Sequence, residues 1–157
     1  MKDSLDWAKK IVKAFGEVGI NKTRVGLILY AEKPKLMFNF TEKLKKDEVL
    51  GAIDEAASPP AIGNKTFTGK ALWFALKTLV EGTREEALKK FFVFSDRPPD
   101  DDPMSPASAI QKKKVDVYGL GKTTAPFSDW YISDYSLDTM YAVLAAGPFN
   151  GKDFARN

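Results

Sequence analysis

The chain has 157 residues, 44% of them apolar and 29% charged, with a formal net charge of +3. That is the make-up of one soluble globular domain, too weakly charged to select nucleic acid and with no apolar run long enough to span a membrane. Cysteine and histidine are both absent, which excludes disulfides, thiol chemistry, histidine triads and histidine-held zinc, so any bound metal must rest on oxygen, as magnesium, manganese or calcium do.

The first predicted element is a helix over residues 5–18, where Leu5, Ala8, Ile11, Val12, Phe15 and Val18 follow a 3–4 spacing behind Asp3 and Ser4 as candidate caps. Arg24 to Tyr30 reads as a buried strand. Residues 35–40 alternate Leu36, Phe38 and Phe40 against Met37 and Asn39, a more exposed strand. The short link between them predicts an antiparallel hairpin at a sheet edge. Leu44, Val49, Ile53 and Ala57 mark a second helix, stopped at Ser58-Pro59-Pro60. A loop bearing glycine and threonine, residues 63–69, leads into a third helix that is apolar nearly all round.

Phe91 to Ser95 is an unbroken apolar or small run, and charge arrives abruptly at Asp96, followed by Arg97-Pro98-Pro99. Such a run predicts a strand buried on both faces, as in parallel sheets. Asp96 then stands at the strand's carboxyl end, where open α/β sheets bind ligands. It could serve there as a metal ligand, as a phosphate-site acid or as a turn cap. The acidic run Asp100-Asp101-Asp102 lacks the spacing, glycine and terminal glutamate of a calcium loop and reads as a solvated loop. A short helix over 106–113 ends in Lys112-Lys113-Lys114 and leads to another buried strand, Val115 to Gly121. Residues 123–135 read as an aromatic loop with Phe127, Trp130, Tyr131 and Tyr135, and 137–146 as a final helix. The fold class is therefore α/β, a doubly wound, mostly parallel sheet with one antiparallel edge strand and helices on both faces, in one domain over 1–157.

Arg24-Val25-Gly26-Leu27-Ile28-Leu29-Tyr30, then Gly63-x-x-Thr66-x-Thr68-Gly69-x-Ala71-Leu72, then Phe91 to Asp96 and Val115 to Gly121, resemble the von Willebrand factor A domain, integrin I-like. The resemblance runs from about residue 5 to about 149. It implies a protein-binding and adhesion module rather than an enzyme, extracellular, with a divalent cation held atop the sheet in a metal-ion-dependent adhesion site. Two of that site's ligands carry over, as Thr66 and Asp96. The family's first-strand Asp-x-Ser-x-Ser does not occur near this N-terminus, and Arg97 stands where the family has glycine. Magnesium prefers a near-octahedral oxygen shell. The expectation is weak magnesium or manganese binding, in the millimolar range, or none.

The resemblance also implies that a central strand is missing, with a gap between the strands at 24–30 and 91–95. Open strand edges pair with whatever is available, so self-association through the gap is expected unless the two strands close up and pair directly. Three sequons, at Asn21, Asn39 and Asn64, favour secretion, with Asn21 and Asn39 the better glycosylation candidates because Asn64 would crowd Thr66. The competing reading is a magnesium-dependent phosphoryl-transfer or phosphatase-like enzyme of a doubly wound fold using Asp96. It lacks a Walker loop and an Asp-x-Asp at Asp96.

Overall fold

A computed structural model describes residues 2–57, 63–80, 83–95, 97–121 and 131–132. Its first element, α1 (Lys2–Ala14), turns Leu5, Ile11 and Val12 inward on the predicted stripe. Beyond its end, Lys46 donates to the carbonyls of Phe15 and Gly16, a cation meeting the negative end of the helix. The hairpin follows as predicted, with β1 (Leu27–Tyr30) antiparallel to β2 (Pro34–Phe38). Next comes α2 (Lys46–Glu55), which packs on α1 and buries Val49 and Ile53. Leu5 and Val12 of α1, Leu29 of β1, Phe38 of β2 and Val49 and Ile53 of α2 form one apolar cluster.

The second half builds a second cluster. Helix α3 (Thr68–Ala75) continues into a π-helical turn, Leu76–Val80, which the sequence pattern did not foretell. It packs against α4 (Met104–Lys112), while β3 (Lys89–Ser95) lies parallel to β4 (Val115–Gly121). Leu72, Val93, Ala107, Ile110, Val115 and Val117 make up this core, and Tyr30 of β1 packs against it from the first half. Tyr131 falls in a short strand, β5 (Tyr131–Ile132), parallel to β4, and so belongs to the sheet rather than to an aromatic loop. The helix expected at 137–146, and Phe127, Trp130 and Tyr135, lie outside the described residues.

The α/β class is as expected, but among the described residues the ladder is divided. β1 and β2 form one sheet, and β3, β4 and β5 another in that order, so β1 and β3 each have a partner on one side only. The burial expected for the two apolar strands is corrected accordingly. In β1 only Leu29 is buried, and in β3 only Val93, whose accessible fraction is 9%. The less aromatic β4, flanked on both sides, buries Val115, Val117 and Tyr118 to 1–3%. A strand's burial follows from its neighbours, and β3 has the sequence of a central strand but, among the described residues, a strand neighbour on one side only.

Tyr118 supplies a pH handle. Its ring stacks on Phe92 with centroids 5.4 Å apart. Burial, with the nearby Asp116 charge adding to it, pushes its phenol up to about 12 from an ordinary value near 10. The folded state holds this proton more tightly than the unfolded one. Tyr118 therefore contributes stability that is complete below about pH 10 and is lost as pH rises through about 12. Thermal melts between those values should show wild type losing stability faster than Tyr118→Phe. Parallel losses would remove Tyr118 as the cause.

Candidate binding face

The loop that carries Thr66 crosses the carboxyl ends of β1 and β3, and each anchor on it is polar. Phe67 N–H donates to the Ala31 carbonyl just beyond β1, at 3.0 Å. Gly63 has φ of +111°, and its position lies against the Glu32 side chain, where a Cβ would meet Cδ at 2.5 Å. Only glycine fits that turn without strain. Glu32 accepts from the Asn64 amide at 3.1 Å, and Arg97 donates to the Asn64 carbonyl at 3.1 Å from the far side. Asn64 is thus held by its backbone on both sides, which adds to the crowding already expected at this sequon.

The acidic run is exposed at Asp100 and Asp102, as expected of a solvated loop, but its carboxylates also bind backbone amides, which the sequence reading did not foresee. Thr66 N–H donates to Asp100 Oδ2 at 2.6 Å, and Asp100 N–H returns a bond to the Thr66 carbonyl at 2.8 Å. Asp101 accepts from the amides of Gly69 and Lys70, both at 2.8 Å. These are orphan donors of the first turn of α3, whose N-cap residue, Phe67, makes no side-chain cap. A carboxylate from another segment performs the capping and meets the positive end of the helix. Asp102 serves its own helix, accepting from the Met104 amide at 2.9 Å and from the Ser105 hydroxyl, which with Met104 holds its carboxyl below the usual range. The missing cap was visible in the sequence, since Phe67 has no oxygen to offer. The remote partner was not.

Beneath the loop, Thr68 is 1% exposed and its hydroxyl donates to Tyr30 Oη at 3.4 Å. Tyr30 in turn donates to the Phe94 carbonyl of β3 at 3.2 Å. Lys65 and Lys70 lie 5.8 and 4.5 Å from the Phe67 ring centroid and add positive charge to the face.

Of the two expected metal ligands, Asp96 lies outside the described residues. Thr66 is at the face, and its hydroxyl makes no hydrogen bond among the described residues. No group of three metal-ligating side chains occurs among them. The carboxylates closest to Thr66 along the loop are occupied by backbone amides, and Arg97 brings a guanidinium to the same loop. The described residues therefore do not fit a divalent cation on their own.

The strand ends, the threonine loop and the helix behind it form one arrangement, and a family model for the von Willebrand factor type A domain matches residues 1–140. The chain belongs to that family. Among curated relatives, the collagen alpha-5(VI) chain of Homo sapiens is 30% identical over 107 residues, covering 67% of this chain and 4% of that protein. Human vitrin is 29% identical over 117 residues, covering 74% and 17%. Human cochlin is 25% identical over 126 residues, covering 80% and 22%. The chain thus spans at most about a fifth of these relatives' own length. Among solved structures, the proximal thread matrix protein 1 of the mussel byssus with a zinc-occupied MIDAS motif superposes with a TM-score of 0.75. It is 21% identical, covering 90% of this chain and 38% of that one. Manganese-loaded TRAP of Plasmodium vivax gives 0.72 at 13% identity, covering 90% and 63%. At these identities the likeness is one of fold, and the α/β architecture of this von Willebrand A domain agrees with it.

Proposed function

We propose that this von Willebrand A domain is a non-enzymatic adhesion module that binds an extracellular or matrix protein through the face around Thr66, Lys70 and Arg97. The observation that carries the reading is the clamped threonine loop. Asp100, Asp101, Glu32 and Arg97 hold its backbone at the strand ends. A rigid, exposed loop on a packed scaffold suits recognition, because little ordering is needed on binding. Collagen chains among the curated relatives and a byssal matrix protein among the structures support a matrix setting.

The test is adhesion to immobilised cell-derived matrix. Thr66→Ala and Arg97→Glu should each reduce binding at least about tenfold, a hot-spot effect of ~1.4 kcal/mol or more. Lys13→Glu, on α1, should leave it unchanged. Equal loss in all three would move the site elsewhere.

Metal has a minor part in this reading. Thr66 and Asp96 are the proposed protein ligands, and magnesium or manganese should bind in the millimolar range or not at all. Calorimetric titration with each ion is the check. Micromolar affinity that disappears in Asp96→Ala would overturn the ligand count. Asn21, on an exposed turn, and Asn39 are the proposed glycan sites. The Asn39 side-chain oxygen accepts from the Thr41 amide at 2.8 Å and its hydroxyl at 2.7 Å. Self-association through the edges of β1 and β3 that have no strand partner among the described residues is proposed as well, and light scattering should show mass rising with concentration.

A further inference from the structure

We propose that the end of β3 and β4 opposite the Thr66 loop is a binding surface for a linear sulfated polysaccharide. β3 is seven residues long, so its two ends lie about 20 Å apart. The surface is separate from the Thr66 face, and its failure would leave that reading standing.

The fold gathers at this end four cationic segments that are distant in sequence. Lys89 opens β3 in register with Val115, so residues 112–114 lead into the strand beside it. Arg84 donates to the Lys22 carbonyl at 2.7 Å and ties the turn at 17–24 to the same end. A Cβ at Gly19 in that turn would lie 3.7 Å from the Leu44 carbonyl oxygen, which brings in residues 43–46. Segments 17–24, 43–46, 84–90 and 112–114 together hold eleven lysines and arginines against three glutamates. Glu42, Asp47, Glu48 and Asp116 flank them, and with these four included the end is still net +4, above the +3 of the whole chain. The rest of the chain is therefore net negative. A low overall charge conceals an uneven one.

Two observations set this charge apart from an ordinary solvated helix end. Lys112, Lys113 and Lys114 are exposed and enter no ion pair among the described residues. One cation suffices to meet the negative end of α4, and three in a row repel one another. Lys114 also has φ of +59°, directly after the C-cap residue Lys113. Glycine is the usual residue there, because a side chain strains the left-handed conformation. A lysine is kept at that position against its backbone preference.

The composition of this end selects the kind of anion. Nine of the eleven cations are lysines. Both arginines hold main-chain carbonyls, Arg24 that of Ile20 at 2.8 Å and Arg84 that of Lys22. Their planar forks, suited to bidentate phosphate contacts, are thus engaged within the fold. The four segments contain no aromatic residue, so they offer no ring on which nucleic-acid bases could stack. Lysine ammoniums on flexible stems instead suit sulfates spread along a chain. The Lys22–Glu17 pair at 2.8 Å is exposed on both sides, so a sulfate can displace its carboxylate at little cost.

The test is surface plasmon resonance of the full 157-residue chain on immobilised heparin, a linear sulfated polysaccharide. Saturable binding at about 10 μM or tighter is expected near physiological salt. It should weaken at least about tenfold on raising salt to roughly 0.5 M, as counterions compete. Desulfated heparin should fail to compete. The double variant Lys112→Gln/Lys113→Gln should bind about 5- to 20-fold more weakly. Lys33→Gln/Lys35→Gln, at the β1–β2 hairpin, removes the same charge and should leave binding unchanged. Lys114→Gly should raise the melting temperature yet weaken binding about 2- to 5-fold, a split that a purely structural lysine would not show. Equal loss in the two double variants would overturn the inference in favour of unspecific charge. Tighter binding to oligothymidylate or to polyglutamate than to heparin would overturn it in favour of a nucleic acid or an acidic protein. Absence of saturation, or unchanged affinity in both variants of residues 112–114, would overturn it outright.

Discussion

Gly69→Ala should destabilise the domain by roughly 2–4 kcal/mol and loosen the Thr66 loop, although alanine is the better helix former at an ordinary site. A Cβ at Gly69 would lie 2.0 Å from the Asp102 carbonyl oxygen and 3.1 Å from Asp101 Oδ2. The first obstacle is backbone, so no side chain can swing away to relieve it. The acidic loop would have to retreat, and with it the Asp101 cap on the Gly69 and Lys70 amides. Urea titration should give a lower midpoint at an unchanged slope, with faster amide exchange at Thr66, Gly69 and Lys70. Unchanged stability would mean that the acidic loop does not pack on α3 in solution. Asp101→Asn is the milder companion, because it weakens the cap without the clash, and should cost about 1 kcal/mol.

Phe38→Ala should cost more, about 3–5 kcal/mol, because Phe38 is 1% exposed at the centre of the cluster under α1 and α2. Phe94→Ala should cost much less, roughly 1–2 kcal/mol, since the half-buried ring of β3 leaves part of its surface in water already. The contrast tests the divided sheet, because the two residues are the same type on strands of similar apolar character. Chemical denaturation of the two variants under one buffer measures it. Equal costs would mean that β1 and β3 close on one another in solution and bury Phe94 as deeply as Phe38.

Periodicity placed most of the elements correctly. The stripe of Leu5, Ile11 and Val12, the hairpin, α2 with Val49 and Ile53, and the strand at Val115 all follow from short-range pattern, because the 3.6 and 2.0 repeats are properties of the local backbone. The binding face was legible in part. Thr66 and its glycine loop stand out by composition, and the bare N-terminus of α3 could be read from Phe67.

Its construction was not legible. Asp101 and Lys70 are 31 residues apart, and Asp100 and Thr66 are 34 apart. No window of sequence shows that an exposed acidic run also caps a helix. Burial was misjudged for the same reason. Phe91-Phe92-Val93-Phe94 specifies a strand that prefers to be enclosed, but whether it is enclosed depends on which strand lies beside it, and that pairing is made by distant parts of the chain. Sequence by itself determined the family, the order of the elements from α1 to β4 apart from the π-helical turn, and the residues suited to a core. Tertiary structure alone decided which carboxylates hold the threonine loop and which strand pairs with β3 among the described residues, since both depend on contacts between segments that local propensity cannot see.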